Sequence, residues 1–134
     1  MKNWKLGIVN GELGKGMKKD ICERTFQFAL RVLKLCQFLD ETPGVRRTIS
    51  NQLLRAGTSI GANVEEGQAA QSEADFLTKM SIACKEAREA HYWLRLLAAS
   101  EIIEVTRLDK LEQKANELVA ILSSICRKIK EKRA

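Results

Sequence analysis

Between residue 20 and the C-terminal lysines, apolar side chains recur every three or four positions, with only brief interruptions. That spacing lines them along one face of an α-helix, whereas a half-buried strand needs strict alternation. A first helix is expected from about Asp20 to Glu41, capped by Asp20, with Cys22, Thr25, Ala29, Val32, Cys36 and Leu39 in its main row. Ile21, Phe28 and Leu35 add a second row, and Phe26, Leu30 and Leu33 widen it until little polar face remains. Such a helix is covered from more than one direction. Pro43, the single proline, cannot continue this helix and suits the first turn of the next, with Thr42 as N-cap. The second helix runs to about Ala70 on a stripe of Ile49, Leu53, Ala56, Ile60 and Val64. Gly57 and Gly61 stand one turn apart in it, each costing about 1 kcal/mol of helix propensity relative to alanine; a neighbouring backbone is expected to come close there.

Ser72 is the expected cap of a third helix, with Glu73 and Asp75 at the positive end of its dipole. Its stripe is Phe76, Met80, Ala83, Ala87, Ala90, Leu94 and Leu97. Thr106 and Asp109 resemble a capping box that opens a fourth helix, in which Leu108, Leu111, Ala115, Leu118, Ile121 or Leu122, and Ile125 face inward until about Lys130. Short connections make neighbouring helices antiparallel, so the expected fold is all-α, an up-down-up-down four-helix bundle over residues 18–134. Residues 1–17 read as a flexible leader, because Gly7, Gly11, Gly14 and Gly16 fall there and no helical period does. Met17 offers an alternative start, so residues 1–16 read as a product of start-site choice.

A chain of 134 residues is long enough to bury one core without staples. No apolar run approaches the roughly 20 residues that span a bilayer, and no apolar segment of a secretory signal follows Lys2 and Lys5. The cysteines at 22, 36, 84 and 126 are far apart and form no Cys-x-x-Cys pair. A cytoplasmic protein with reduced thiols and no membrane partner is expected.

The formal net charge of +6 is unevenly spread: residues 1–19 carry +4, residues 127–134 carry +4, and the stretch between them carries −2. An up-down-up-down bundle brings both ends to one pole, where Lys18 and Lys19 meet Arg127, Lys128, Lys130, Lys132 and Arg133. Two readings of this basic pole stay open: a surface that grips phosphates without reading bases, or a solvated terminus.

Catalytic constellations are absent. A di-metal carboxylate site in a bundle needs Glu-x-x-His pairs, yet the single histidine, His91, is preceded three residues earlier by Arg88, so no metal ligands are expected. Cys22, Cys36 and Cys84 lie on or beside apolar stripes and read as small buried hydrophobes. Cys126 adjoins Arg127 and Lys128, cations of the kind that favour a thiolate, but a reactive thiol is not the expectation there. The glycines of the second helix form no phosphate loop, and no cofactor is expected. Arg55 and Glu66 lie about 16 Å apart along one helix and cannot pair. A hairpin turning near residue 71 would instead set Arg55 level with Glu86 and Glu89, an ion pair between helices or subunits that fixes register. A ligand-binding or catalytic role for Glu66 and Glu89 is the alternative. Tyr92 and Trp93 read as core or interface, since 5% aromatics supplies no base-stacking platform.

The segments Asn51–Gly67 (NQLLRAGTSIGANVEEG), Ser72–Phe76 (SEADF) and Lys85–Leu97 (KEAREAHYWLRLL) resemble the bacterial 23S ribosomal RNA intervening-sequence proteins. The matching residues include Arg55, Ala56, Ser59, Ile60, Ala62, Asn63, Glu66, Gly67, Phe76, Ala83 and Glu89, within a resemblance covering about residues 20–130. Glu65 departs from the pattern, standing where a small residue is common. The resemblance implies a four-helix subunit of a ring-like homopentamer. It also implies distant kinship with the accessory proteins of diversity-generating retroelements, which bind nucleic acid and a reverse transcriptase. It implies no enzymatic activity, and Arg55, Asn63, Glu66 and Glu89 become structural or interface residues of the motif. The family label records where some of its genes sit, which is a location and not a mechanism. Two functions are therefore expected: a non-enzymatic oligomeric accessory protein that binds RNA or DNA through the basic pole, or a protein-interaction scaffold whose charge serves solubility.

Overall fold

The computed structural model describes residues 11–133, which form α1 (Gly11–Leu39), α2 (Val45–Gln68), α3 (Glu73–Ser100) and α4 (Asp109–Arg133) in chain order. One 3₁₀ turn at Val105–Arg107 precedes the last helix, and no strand occurs among the described residues. The architecture is the expected all-α up-down-up-down bundle. Each helix packs closely on the next, and the seam between α1 and α4 is the loosest.

The core follows the helical period. All seven stripe residues expected on α3, from Phe76 to Leu97, are buried, as are Leu53, Ala56, Ile60 and Val64 of α2. Ile49 is only half-buried at the edge. On α4, Leu111, Ala115, Leu118, Leu122, Ile125 and Ile129 line the core, while Ile121 packs at its margin. Each large aliphatic buried this way contributes about 1.5–3 kcal/mol relative to an exposed one. α1 sends in Ile21, Phe28, Val32, Leu35, Cys36 and Leu39, and leaves Phe26, Leu30 and Leu33 in solvent at 53%, 38% and 42% exposure.

The cost of two mid-helix glycines is explained by α1. A Cβ at Gly57 would stand 2.8 Å from Val32 Cγ1, and one at Gly61 would stand 3.3 Å from the Thr25 carbonyl oxygen. The polar residues at this crossing are satisfied locally. Thr25 is fully buried and its Oγ1 donates to the Ile21 carbonyl at 2.9 Å. Cys36 Sγ donates to the Ser50 carbonyl at 3.4 Å while Ser50 Oγ donates to the Cys36 carbonyl at 3.3 Å, a reciprocal clasp between α1 and α2.

Three boundaries differ from expectation. α1 starts at Gly11, not near Asp20, so residues 11–17 of the expected leader are helical. Extending an existing helix needs only one further ordered residue per hydrogen bond. No packing is required, and none meets Gly16, where nothing lies within 4 Å of a would-be Cβ. The expected flexibility of residues 1–10 lies outside the described residues. Thr42 does not cap α2. Its N–H bonds back to Leu39, and Gly44, at φ 99°, holds the N-cap position with no side-chain hydrogen bond. That left-handed geometry is open to glycine and strained for other residues. Thr106 likewise sits inside the 3₁₀ turn, and α3 ends on Glu101 in the left-handed region at φ 60°. Ser72 caps α3 as expected, accepting from the Asp75 N–H at 3.0 Å.

Candidate functional site

The run Lys85-Glu86-Ala87-Arg88-Glu89 on α3 repeats its charges every three residues, so the two cations share one flank of the helix and the two carboxylates share the other. Ala87 and Ala90 are fully buried against the core.

The acidic flank faces α2, where a single arginine pairs with both carboxylates. Arg55 Nη1 lies 3.3 Å from Glu86 Oε1, and its Nη2 donates to Glu89, the level predicted by the hairpin. Glu89 also accepts from Trp93 Nε1 at 3.1 Å. Arg55 is half exposed, so this is a partly solvated ion pair that orders two helix surfaces. Farther along the same seam Glu66 pairs with Lys79 at 3.0 Å, and Asn63 Nδ2 donates to the Ser59 carbonyl at 2.9 Å. Glu66 and Glu89 therefore stand at separate levels, each with its own cation, and do not converge on a shared cleft. Trp93 is half-buried beside Glu89, while Tyr92 is 50% exposed.

The basic flank faces α4 across an open groove of about 430 Å³. Lys85 and Arg88 line it from α3, and Arg127 and Lys130 from α4, with Glu131 also on its lining. Its polar side chains are Ser81, Cys84, Ser123 and Cys126. Arg88 Nη2 donates to Ser123 Oγ at 3.2 Å, and Ser123 Oγ lies 3.2 Å from Cys84 Sγ. Among the described residues, Lys85, Arg127 and Lys130 enter no ion pair.

Lys18 and Lys19 on α1, and Arg127, Lys128 and Lys130 on α4, are all exposed. Arg24 of α1 lies 3.7 Å from Glu117 of α4, a level from which α1 runs back and α4 runs forward to the same pole. Lys132 is partly neutralised by Glu73 at 3.7 Å, and Arg133 closes α4 with its side chain outside the described ones. The same pole also receives the end of α2 and the start of α3, and with them Glu65, Glu66, Glu73 and Asp75. Its basic character is thus confined to the α1 and α4 side, a restriction that charge summed by segment conceals.

The cysteine thiols are free, and three are pushed to higher pKa. Burial is the main cause at Cys36, where the Ser50 hydrogen bond opposes it, and at Cys22, where Glu65 adds to it and Lys18 opposes it. Cys126 is also raised, chiefly by burial; the hydrogen bond with Ser81 and the charge of Lys130 oppose it without prevailing. Cys126 is 8% exposed, and desolvation outweighs the neighbouring cations. No group of three or more His, Cys, Asp or Glu side chains that could hold a metal occurs among the described residues.

At the opposite pole, Phe38 lies beneath two guanidiniums, Arg46 at 4.9 Å and Arg107 at 4.2 Å from the ring centre. Arg46 Nη2 also donates to the Phe38 carbonyl at 3.2 Å, so this cluster pins the turn before α4 onto α1 and α2. The groove between α1 and α4 is lined by Arg24, Arg31 and Lys114 but also by Glu23 and Glu117, and Arg24 and Lys114 both reach Glu117.

A family model described as "23S rRNA-intervening sequence protein" matches residues 17–124. A crystal structure from Bacteroides thetaiotaomicron, described as a protein with unknown function from the S23 ribosomal protein family, is similar at 40% identity and a TM-score of 0.73. The similarity covers 79% of this chain and 97% of that one. No curated protein matches.

Proposed function

The chain belongs to the 23S rRNA-intervening sequence protein family, and from that premise we propose that it is a non-enzymatic accessory protein that binds RNA or DNA through its basic pole. The observation that carries the reading is a set of exposed cations, Lys18, Lys19, Arg127, Lys128 and Lys130, without ion-pair partners among the described residues. Cations that the fold leaves unneutralised attract phosphate and release its counterions, which gives affinity without base recognition.

Assembly belongs to the same proposal. Phe26, Leu30 and Leu33 run along one side of α1 in solvent, and Ile82 and Leu96 are exposed on α3. Two different apolar faces on one subunit suit a head-to-tail ring, and the resemblance sets the expectation of a pentamer and of kinship with retroelement accessory proteins. Repeating the basic pole around a rim would multiply a weak contact. No described helix is long and apolar enough to cross a membrane, and a cytoplasmic location is proposed with the rest.

The test is electrophoretic and anisotropy binding to RNA and DNA across a salt series, with oligomer mass measured in parallel. Binding should weaken steeply as salt rises, and further when Arg127, Lys128, Lys130 and Lys132 are changed to glutamine. No binding at low salt, or no loss in that variant, would sink the proposal. The exposed apolar faces support a second reading, a protein-interaction scaffold. Capture of a defined protein partner, insensitive to nuclease, would favour it.

A further inference from the structure

We infer that the groove between α3 and α4 is the seat of a single phosphodiester strand, held by Lys85, Arg88, Arg127 and Lys130 with its bases turned outward. The inference rests on the nucleic-acid reading above and locates it on the molecule. This groove combines an open trough with four cations, Lys85, Arg88, Arg127 and Lys130, that have no ion-pair partner among the described residues. In the α1–α4 groove Arg24 and Lys114 already share Glu117, and at the far pole Arg46 and Arg107 are spent on Phe38.

The groove supplies what a phosphate backbone needs. Lys85 and Arg88 are separated by three residues, as are Arg127 and Lys130, so each helix presents two cations about 4.5 Å apart along its axis. Two such rows face each other across a trough of about 430 Å³. Ser81 and Ser123 bring hydroxyl groups to its lining, and Arg88 is already steered by its bond to Ser123 Oγ at 3.2 Å. Glu131 is the single carboxylate on the lining, so the trough keeps an excess of positive charge. No aromatic side chain lines it, which removes base stacking and leaves recognition to the backbone. Arg127 and Lys130 belong to both the groove and the basic pole.

Lys85 and Arg88 belong to the groove alone, whereas Lys18, Lys19 and Lys128 belong to the pole alone. The experiment compares the full chain with Lys85→Gln/Arg88→Gln and with Lys18→Gln/Lys19→Gln/Lys128→Gln. Each is titrated against fluorescein-labelled oligouridylate and oligodeoxythymidylate over a salt series, and thermal melts confirm folding. The groove variant should lose affinity on the order of tenfold at low salt, and the slope of log K against log salt should become shallower by about 1.4, since each single-strand phosphate contact contributes about 0.7. The pole variant should lose less. If the groove variant binds like the unmodified chain while the pole variant loses its binding, the groove assignment is overturned and the pole reading stands. If the unmodified chain binds neither oligonucleotide, both fall together.

Discussion

The two flanks of α3 carry charges of opposite sign at matched positions and meet different neighbours. Toward α2, Glu86 and Glu89 find Arg55, and Lys79 finds Glu66, so the charges are consumed in holding two helices side by side. Toward α4, Lys85 and Arg88 look across an open groove at two further cations. Ala83, Ala87 and Ala90 bury the face between the flanks completely. Charge serves the fold on one flank and is left available on the other. The difference lies in which partner each flank meets, and residue type alone does not announce it.

Substitutions can press on each side of that contrast. The largest effect is expected from Phe76→Ala. Phe76 is fully buried and lies 3.5 Å from where a Cβ of Gly67 would stand, so its loss hollows the closed seam and should cost about 3–5 kcal/mol in denaturant unfolding. A double-mutant cycle on Arg55→Ala and Glu89→Gln should return a coupling of about 0.2–1 kcal/mol, because the pair is partly solvated, and it should shrink as salt rises. A much larger coupling would mean that α2 and α3 are held by charge more than by packing. On the other flank, Lys85→Gln/Arg88→Gln should change stability by no more than about 0.5 kcal/mol, since no packed carboxylate is orphaned. A marked loss would show that the groove cations are structural. The smallest effect is alkaline. Burial holds the Cys36 and Cys126 thiols above the ordinary 9.0, so the folded state disfavours thiolate more than the unfolded chain does. The stability that this contributes is complete below pH 9.0 and declines as pH rises from there through the folded values, which pH-dependent melts of Cys36→Ala and Cys126→Ala should flatten.

The helices were legible because burial enforces their period. The stripe of α3 could be read residue by residue, and the level of Arg55 with Glu86 and Glu89 followed from antiparallel geometry alone. The ends were less legible. Thr42 and Thr106 have the right chemistry for caps, but Gly44 makes the turn that a β-carbon resists, and a 3₁₀ turn absorbs Thr106. The start of α1 was hidden by its glycines, which weaken a helix without forbidding one. The groove was missed for a different reason. Net charge over residues 20–126 is −2, and that average cancels Lys85 and Arg88 against the glutamates beside them. A signal was present all the same: three-residue spacing at 85 and 88 and again at 127 and 130 puts each cation pair on one helix face. What sequence spacing could not supply was the rotation of α3 and α4 that turns those faces toward each other.

Because α1 begins and α4 finishes at one pole, whatever is joined to the start of α1 or the end of α4 departs from the cation-rich side. An affinity tag or a fluorescent fusion placed there would crowd the basic surface, and a polyhistidine tail would add its own affinity for phosphate. Exposed Glu104, at the far pole, is the better place to attach a reporter. A label inserted there would leave both the groove and the pole open to a ligand, and binding measured with it would belong to the bundle itself.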